Sequence, residues 1–171
     1  MNNKQTIKID FYEEVEEEVV NPSLRAYIKR AFNEAVKIFI PENTAQVSVS
    51  FVDEDSIRQY NNDNRGIDSV TDVLSFPLVD FTNGVINEEA LTDGEFDDDG
   101  YLMLGDVVIC LEVAKKQAEE YGHSQEREIV YLFTHSIMHL MGFDHMNDDD
   151  KKLMRQAEEK IMNRIGLSRD E

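Results

Sequence analysis

Apolar positions recur along the chain with two different periods. From Leu24 through Tyr27, Ile28, Ala31, Ala35 and Ile38 they fall three or four residues apart, the spacing of one helical face, with Ser23 as the expected N-cap and Pro41 just past the end. Val47, Val49 and Phe51 instead alternate with Gln46, Ser48 and Ser50, which predicts a strand buried on one side. A polar helix is expected from about Asp53, residues 61–70 (NNDNRGIDSV) read as a loop, and TDVLSFPLV gives a second β-like run ending near Pro77. LMLGDVVIC, residues 102–110, predicts a buried strand interrupted at Gly105, and helical patterns follow over 111–121, 124–141 and 148–165. The stretch from Phe81 to Gly100 is polar and reads as an exposed insertion. Strands and helices mix without regular βαβ alternation, so the expected class is α+β: one mixed sheet with helices packed against it. Residues 1–171 are expected to form one domain with an acidic loop insertion at 81–100.

Charge changes this picture locally. The chain carries 36 acids against 17 Lys and Arg, a formal net charge of −19. Taken as an average, that disfavours unguided binding to nucleic acid or to anionic membranes. Seven acids between Glu88 and Asp99 and five glutamates within residues 13–18 account for twelve of those nineteen charges, so the average is a poor guide to any one site. The outward side of the 24–39 helix is basic, carrying Arg25, Lys29, Arg30 and Lys37. It is expected to be a solvated face, and it is also a candidate RNA platform. No apolar run approaches the roughly 20 residues of a membrane span and the first ten residues lack a signal peptide's apolar stretch, so a cytoplasmic protein is expected. With one cysteine, Cys110, read as a buried small hydrophobe, any metal must be held by His and carboxylates.

Three of the four histidines fall within HSIMHLMGFDH, residues 135–145. His135 and His139 are four apart on an expected helix, so both rings project from one side, about 5 to 6 Å apart at Cβ. Gly142 can take positive φ, end the helix and let the chain bring His145 back toward the other two. Three nitrogens around one point suit a zinc ion, and three protein ligands with the fourth position open is how catalytic zinc sites are built. The frame H-x-x-x-H-x-x-G-x-x-H is also that of the metzincin proteases, whose second residue is a glutamate. Here that position is Ser136, which cannot accept a proton near neutral pH, so peptide hydrolysis falls below other hydrolytic reactions.

These residues resemble the YbeY-type endoribonucleases of bacteria. HSIMHLMGFDH fits their hallmark H-G-x-L-H-L-x-G-Y-D-H, and the similarity extends to Arg127-Glu128, LGDVVI at 104–109, TDVLSF at 71–76, Asn61 and the Arg65-Gly66 pair. It covers roughly residues 47–165, with Ser136 standing where the family usually has Gly and Phe143 where it usually has Tyr. The resemblance implies a fold related to the zincins, with His135, His139 and His145 holding one zinc on a zincin-like metal helix. It also implies a single-strand-specific endoribonuclease that acts on precursor ribosomal RNA at the small-subunit 3′ end and in ribosome quality control. The expected partners are single-stranded RNA, ribosomal RNA and the small ribosomal subunit, without DNA or membrane.

Arg65 is the candidate catalytic residue, because a permanently charged guanidinium matches phosphate oxygens and the adjacent Gly66 permits close backbone approach. Glu128 or Asp144 is expected to accept a hydrogen bond from the second ring nitrogen of a ligand histidine. Glu128 pairing with a surface base is the other reading of that residue. Asp72, Asp106 and His123 read as structural, and Asp148–Asp150 as the negative start of the last helix. The rival readings are a noncatalytic zinc-binding ribosome-assembly factor and, behind it, a metalloprotease.

Overall fold

The computed structural model describes residues 6–15 and 20–167. Most of the glutamate run at 13–18 lies outside the described residues. The first strand, β1 (Ile7–Glu13), is followed by α1 (Pro22–Phe39), β2 (Ala45–Val52), α2 (Glu54–Arg65) and β3 (Val73–Pro77). A small hairpin, β4 (Phe81–Thr82) and β5 (Val85–Ile86), and two single-turn 3-10 segments lead to β6 (Leu102–Cys110), α3 (Leu111–Tyr121), α4 (Gln125–Leu140) and α5 (Asp148–Arg164). Four strands form one mixed sheet in the order β1-β2-β6-β3, with β1 and β6 parallel to β2 and β3 antiparallel to β6. This is the expected α+β class.

Alternation along the central strands builds two apolar layers. Val47, Val49 and Phe51 of β2 and Val107 and Ile109 of β6 join the larger core with α1, α4 and α5. Val52, Val108 and Cys110 point to a smaller cluster with Ile57 of α2 and Leu74 of β3. β2 is therefore buried on both faces at its C-terminal end rather than on one. Cys110 is fully buried, and burial pushes its thiol pKa up, which suits an inert core residue.

Four local expectations are corrected. Ser23 is not the N-cap of α1: Asn21 is, its Oδ1 accepting from Leu24 N at 2.9 Å, while Pro22 takes the first helical position, where a missing N–H costs nothing. Residues 61–65 are helical, because Asp53 caps α2 firmly and the helix runs on to an αL cap at Gly66. β6 is continuous through Gly105, which pairs with Val47 and Pro77, while Leu104 is the extra residue of a bulge where the register against β2 shifts between Gln46 and Val47. The 81–100 segment keeps most of its acids exposed, with Glu95 and Asp97 half-buried, but is anchored: Phe81 is buried, and the hairpin turn docks on the end of α4 through Asn83 N to Gly142 O and Gly84 N to Met141 O.

Candidate metal centre and phosphate cleft

α4 starts at Ser124, whose Oγ accepts from Arg127 N, and ends at Gly142 in positive φ, with Phe143 N donating back to Met138 O. That reversal brings His145 beside the helix. The ring centroids of His135 and His139 lie 4.8 Å apart, those of His139 and His145 5.1 Å, and those of His135 and His145 6.2 Å. Three imidazoles meeting one zinc at about 2 Å in tetrahedral array have centroids about 5 Å apart, so this donor set fits such an ion.

Hydrogen bonds also orient two of the three rings. His139 Nδ1 lies 3.1 Å from the Phe143 carbonyl, which can only accept, so Nδ1 carries the hydrogen and Nε2 keeps its lone pair. Burial, then the neighbouring rings of His135 and His145, push the His139 pKa below the ordinary histidine value, favouring the neutral ring that a metal requires. His135 Nδ1 faces both carboxylate oxygens of Glu158 at 3.3 and 3.4 Å, which fixes the same tautomer. Asp144 Oδ1 accepts from His145 N at 2.7 Å and lies 3.6 Å from His145 Nδ1. Oxygen of Asp144 and nitrogens of His139 and His145 lie within 4.8 Å of one another, so Asp144 could complete or replace a donor.

Glu158 occupies the role expected of Glu128. Seven residues of helix put Glu128 about 10 Å along the axis from His135, out of reach. Glu128 is instead buried against His123, 2.5 Å from its Nε2, so it pairs with neither a ligand ring nor a surface Lys or Arg. Asp144 sits beside a ligand as expected, without a full hydrogen bond to the ring. No local signal marks Glu158, because it reaches the site from α5, 23 residues further along the chain.

Arg65, at the end of α2, opens onto the same cleft of about 500 Å³ as His135, His139 and His145. Its Nη1 donates to Asn61 Oδ1 at 3.4 Å, and it has no acidic partner among the described residues. Asn61 is buried and also donates from Nδ2 to Ser69 O, so it ties the base of Arg65 to the loop before β3. Asp72, also at the cleft, is engaged structurally, accepting from Val73 N and Gln117 Nε2. Asp106 is exposed on β6 and lies outside the cleft lining. The basic side of α1 does not line it either, and Arg25 and Arg30 rest over the rings of Phe11 and Tyr27.

A family model described as Endoribonuclease YbeY matches residues 9–166. The chain belongs to this YbeY family. Relatives named Endoribonuclease YbeY include one from Clostridium botulinum, 43% identical over 154 residues, covering 88% of this chain and 93% of the relative. Another, from Caldanaerobacter subterraneus, is 48% identical over 146 residues, covering 85% and 90%. A Thermotoga maritima protein whose structure was solved in solution superposes with a TM-score of 0.55 at 25% identity, over 92% of this chain and 91% of that one.

The two departures from the YbeY hallmark are accommodated by packing. Ser136 is fully buried on the side of α4 that faces the sheet, and its Oγ lies 2.6 Å from Ser75 Oγ on β3, so the added hydroxyl is satisfied. Phe143 buries its ring edge-on against Phe39, with centroids 5.3 Å apart, and its role at the site is carried by its backbone carbonyl. No helix among the described residues is long and apolar enough to cross a membrane.

Proposed function

We propose that this chain is a zinc-dependent, single-strand-specific endoribonuclease that matures ribosomal RNA at the small-subunit 3′ end and takes part in ribosome quality control. The observation that carries the reading is one cleft lined by three imidazoles, with ring centroids 4.8 to 6.2 Å apart, and by an arginine that has no acidic partner among the described residues. His135, His139 and His145 would hold the ion, with Asp144 beside them. Zinc bound there would supply Lewis acidity toward a phosphoryl oxygen and would lower the pKa of a bound water.

The chain's own residues do the rest. Arg65 places a permanent positive charge where the non-bridging oxygens of a phosphodiester gain negative charge, and Asn61 holds its guanidinium in position. Glu158 and the Phe143 carbonyl keep the rings of His135 and His139 in one tautomer. The family name of the relatives, with this cleft, supports RNA as substrate. A metalloprotease is disfavoured because the position of the protease glutamate is a buried serine hydroxyl bonded to Ser75.

The test is zinc content together with cleavage of a single-stranded RNA by wild type, His139→Ala and Arg65→Ala, each shown to be folded. Wild type should hold about one zinc and cut, His139→Ala should lose both, and Arg65→Ala should keep zinc and lose cutting. If zinc binds and no preparation cuts above a mock purification, the assembly-factor reading replaces this one.

A further inference from the structure

A second, smaller recess lies along α4 from the metal centre. Arg127, Tyr131, His135 and His139 are spaced four apart on that helix, so they form one slowly turning stripe that rises about 6 Å per step. The first two line the recess, together with Tyr121, His123, Arg155 and Asn163, and the last two line the cleft. Tyr131 stacks on His135 with centroids 6.1 Å apart, so the two hollows adjoin through one pair of rings.

The recess is built from groups with flat faces and fixed hydrogen bonds. Arg127 Nη1 lies 3.0 Å from His123 Nδ1. A guanidinium can only donate, so Nδ1 accepts, and His123 turns its Nε2–H to the buried carboxylate of Glu128. This relay from Arg127 through His123 to Glu128 holds the guanidinium plane still, yet the metal site does not use it. At the rim, Tyr121 is 60% exposed, with its ring 6.0 Å from that of His123. Arg155 has no acidic partner among the described residues. Counting Glu128, Glu158 and Glu159 against Arg127 and Arg155, the lining is slightly negative, which suits a neutral flat ligand better than a phosphate.

We infer that this recess is a base-binding subsite, which stacks a nucleobase of the RNA strand one or two nucleotides from the phosphate in the cleft. This rests on the endoribonuclease reading above. A helical step of about 6 Å, and two steps of about 12 Å, match the one or two nucleotide spacings of an unstacked strand. Aromatic and guanidinium faces are the sequence-tolerant platforms on which single-stranded RNA is held.

The test uses the zinc-loaded full chain and a fluorescein-labelled 12-nucleotide single-stranded RNA whose cut position is mapped first. A set of RNAs with one abasic position each is then compared for wild type and Tyr121→Ala by kcat/KM and by fluorescence anisotropy. One abasic position, one or two nucleotides from the cut, should lower wild-type kcat/KM about tenfold through KM. Tyr121→Ala should lower it by a similar factor on intact RNA and by no further factor on that one abasic RNA. Elsewhere the two losses should multiply. Tyr121→Ala cutting and binding intact RNA like wild type, or losing the same factor on every abasic RNA, overturns the inference. If wild type cuts no RNA, the endoribonuclease reading fails by itself. Anisotropy then decides the recess: Tyr121-dependent loss at one abasic position supports it, and its absence rejects it.

Discussion

Replacing Gly142 with alanine should separate two constraints at the turn that delivers His145. Its φ of +82° costs an L-residue roughly 1–2 kcal/mol. In addition, a Cβ there would sit 2.3 Å from the Phe81 carbonyl oxygen and 2.5 Å from its carbon. Those are backbone atoms, so relief requires the β4–β5 hairpin to move away from α4. Such a move weakens the bonds from Asn83 N to Gly142 O and from Gly84 N to Met141 O, at about 0.5–1.5 kcal/mol each. The sum is about 2–5 kcal/mol. Gly122 provides the control, since it has φ +71° at the end of α3 and an added methyl would meet nothing within 4 Å, so Gly122→Ala should cost only the conformational part. Urea denaturation of both metal-free variants reads the difference directly, and Gly142→Ala should also lower Tm by about 2–4 °C per kcal/mol. Zinc affinity, measured by competition with a chromophoric chelator, should fall for Gly142→Ala alone, because His145 follows the displaced turn. Equal destabilisation of the two variants, within about 0.5 kcal/mol, would refute the argument from close approach.

Hydrogen bonds at Glu158 and Asp53 give two further outcomes. Glu158→Ala should lower zinc affinity about 10- to 100-fold while Glu158→Gln, whose amide oxygen can still accept from His135 Nδ1, loses less; equal affinities in the chelator competition would remove Glu158 from the site. Asp53→Ala should cost about 1 kcal/mol by urea denaturation, since its carboxylate caps α2 at Ser56 N. That bond holds the Asp53 pKa below its ordinary value, so its contribution is complete above the ordinary carboxylate range. The contribution is lost as pH falls through the lowered folded value, and the gap between wild type and Asp53→Ala should close in acid.

Much of this arrangement is legible in the sequence where local periodicity and tertiary burial agree. β2, β3, β6 and the helices α3 to α5 follow from spacing, and the triple-histidine turn follows from Gly142. β1 is hidden although Ile7, Ile9 and Phe11 alternate, because an edge strand buries them only in part and Lys8, Asp10 and Tyr12 intervene. The hairpin at Asn83-Gly84 carries the usual turn signal of positive φ at both residues, masked by strands of only two residues each. Glu158 is opaque for a different reason: it orients a ring carried by another helix, and spacing along one helix says nothing of what a second helix brings to it. Asn61 is named only through the resemblance, because its i,i+4 contact with Arg65 needs residues 61–65 to be helical and that stretch reads as a loop.

The overall acidity is reconciled with an RNA substrate by where the charges sit. The acids at 88–99 lie in the exposed segment beyond the docked hairpin, and none of them lines the cleft. Within the cleft the carboxylates are Asp72, held by three donors, and Asp144, held by His145 N, against Arg65 and the charge of any ion the histidines would hold. On the proposed reading the ion would set the local balance, and phosphate should bind the zinc-loaded cleft more tightly than the metal-free one in a calorimetric titration. With few basic side chains available, only a small number of phosphates can be neutralised, so little of the affinity can come from counterion release. Grip on the strand must then come from stacking, and the stripe from His139 to Arg127 offers flat faces at the spacing a single strand needs. On the proposed reading, a preference for unpaired RNA would follow from the excess of acids over basic side chains: a duplex hides the faces of its bases and offers mainly phosphates and 2′-hydroxyls, and the cleft meets those phosphates with one arginine.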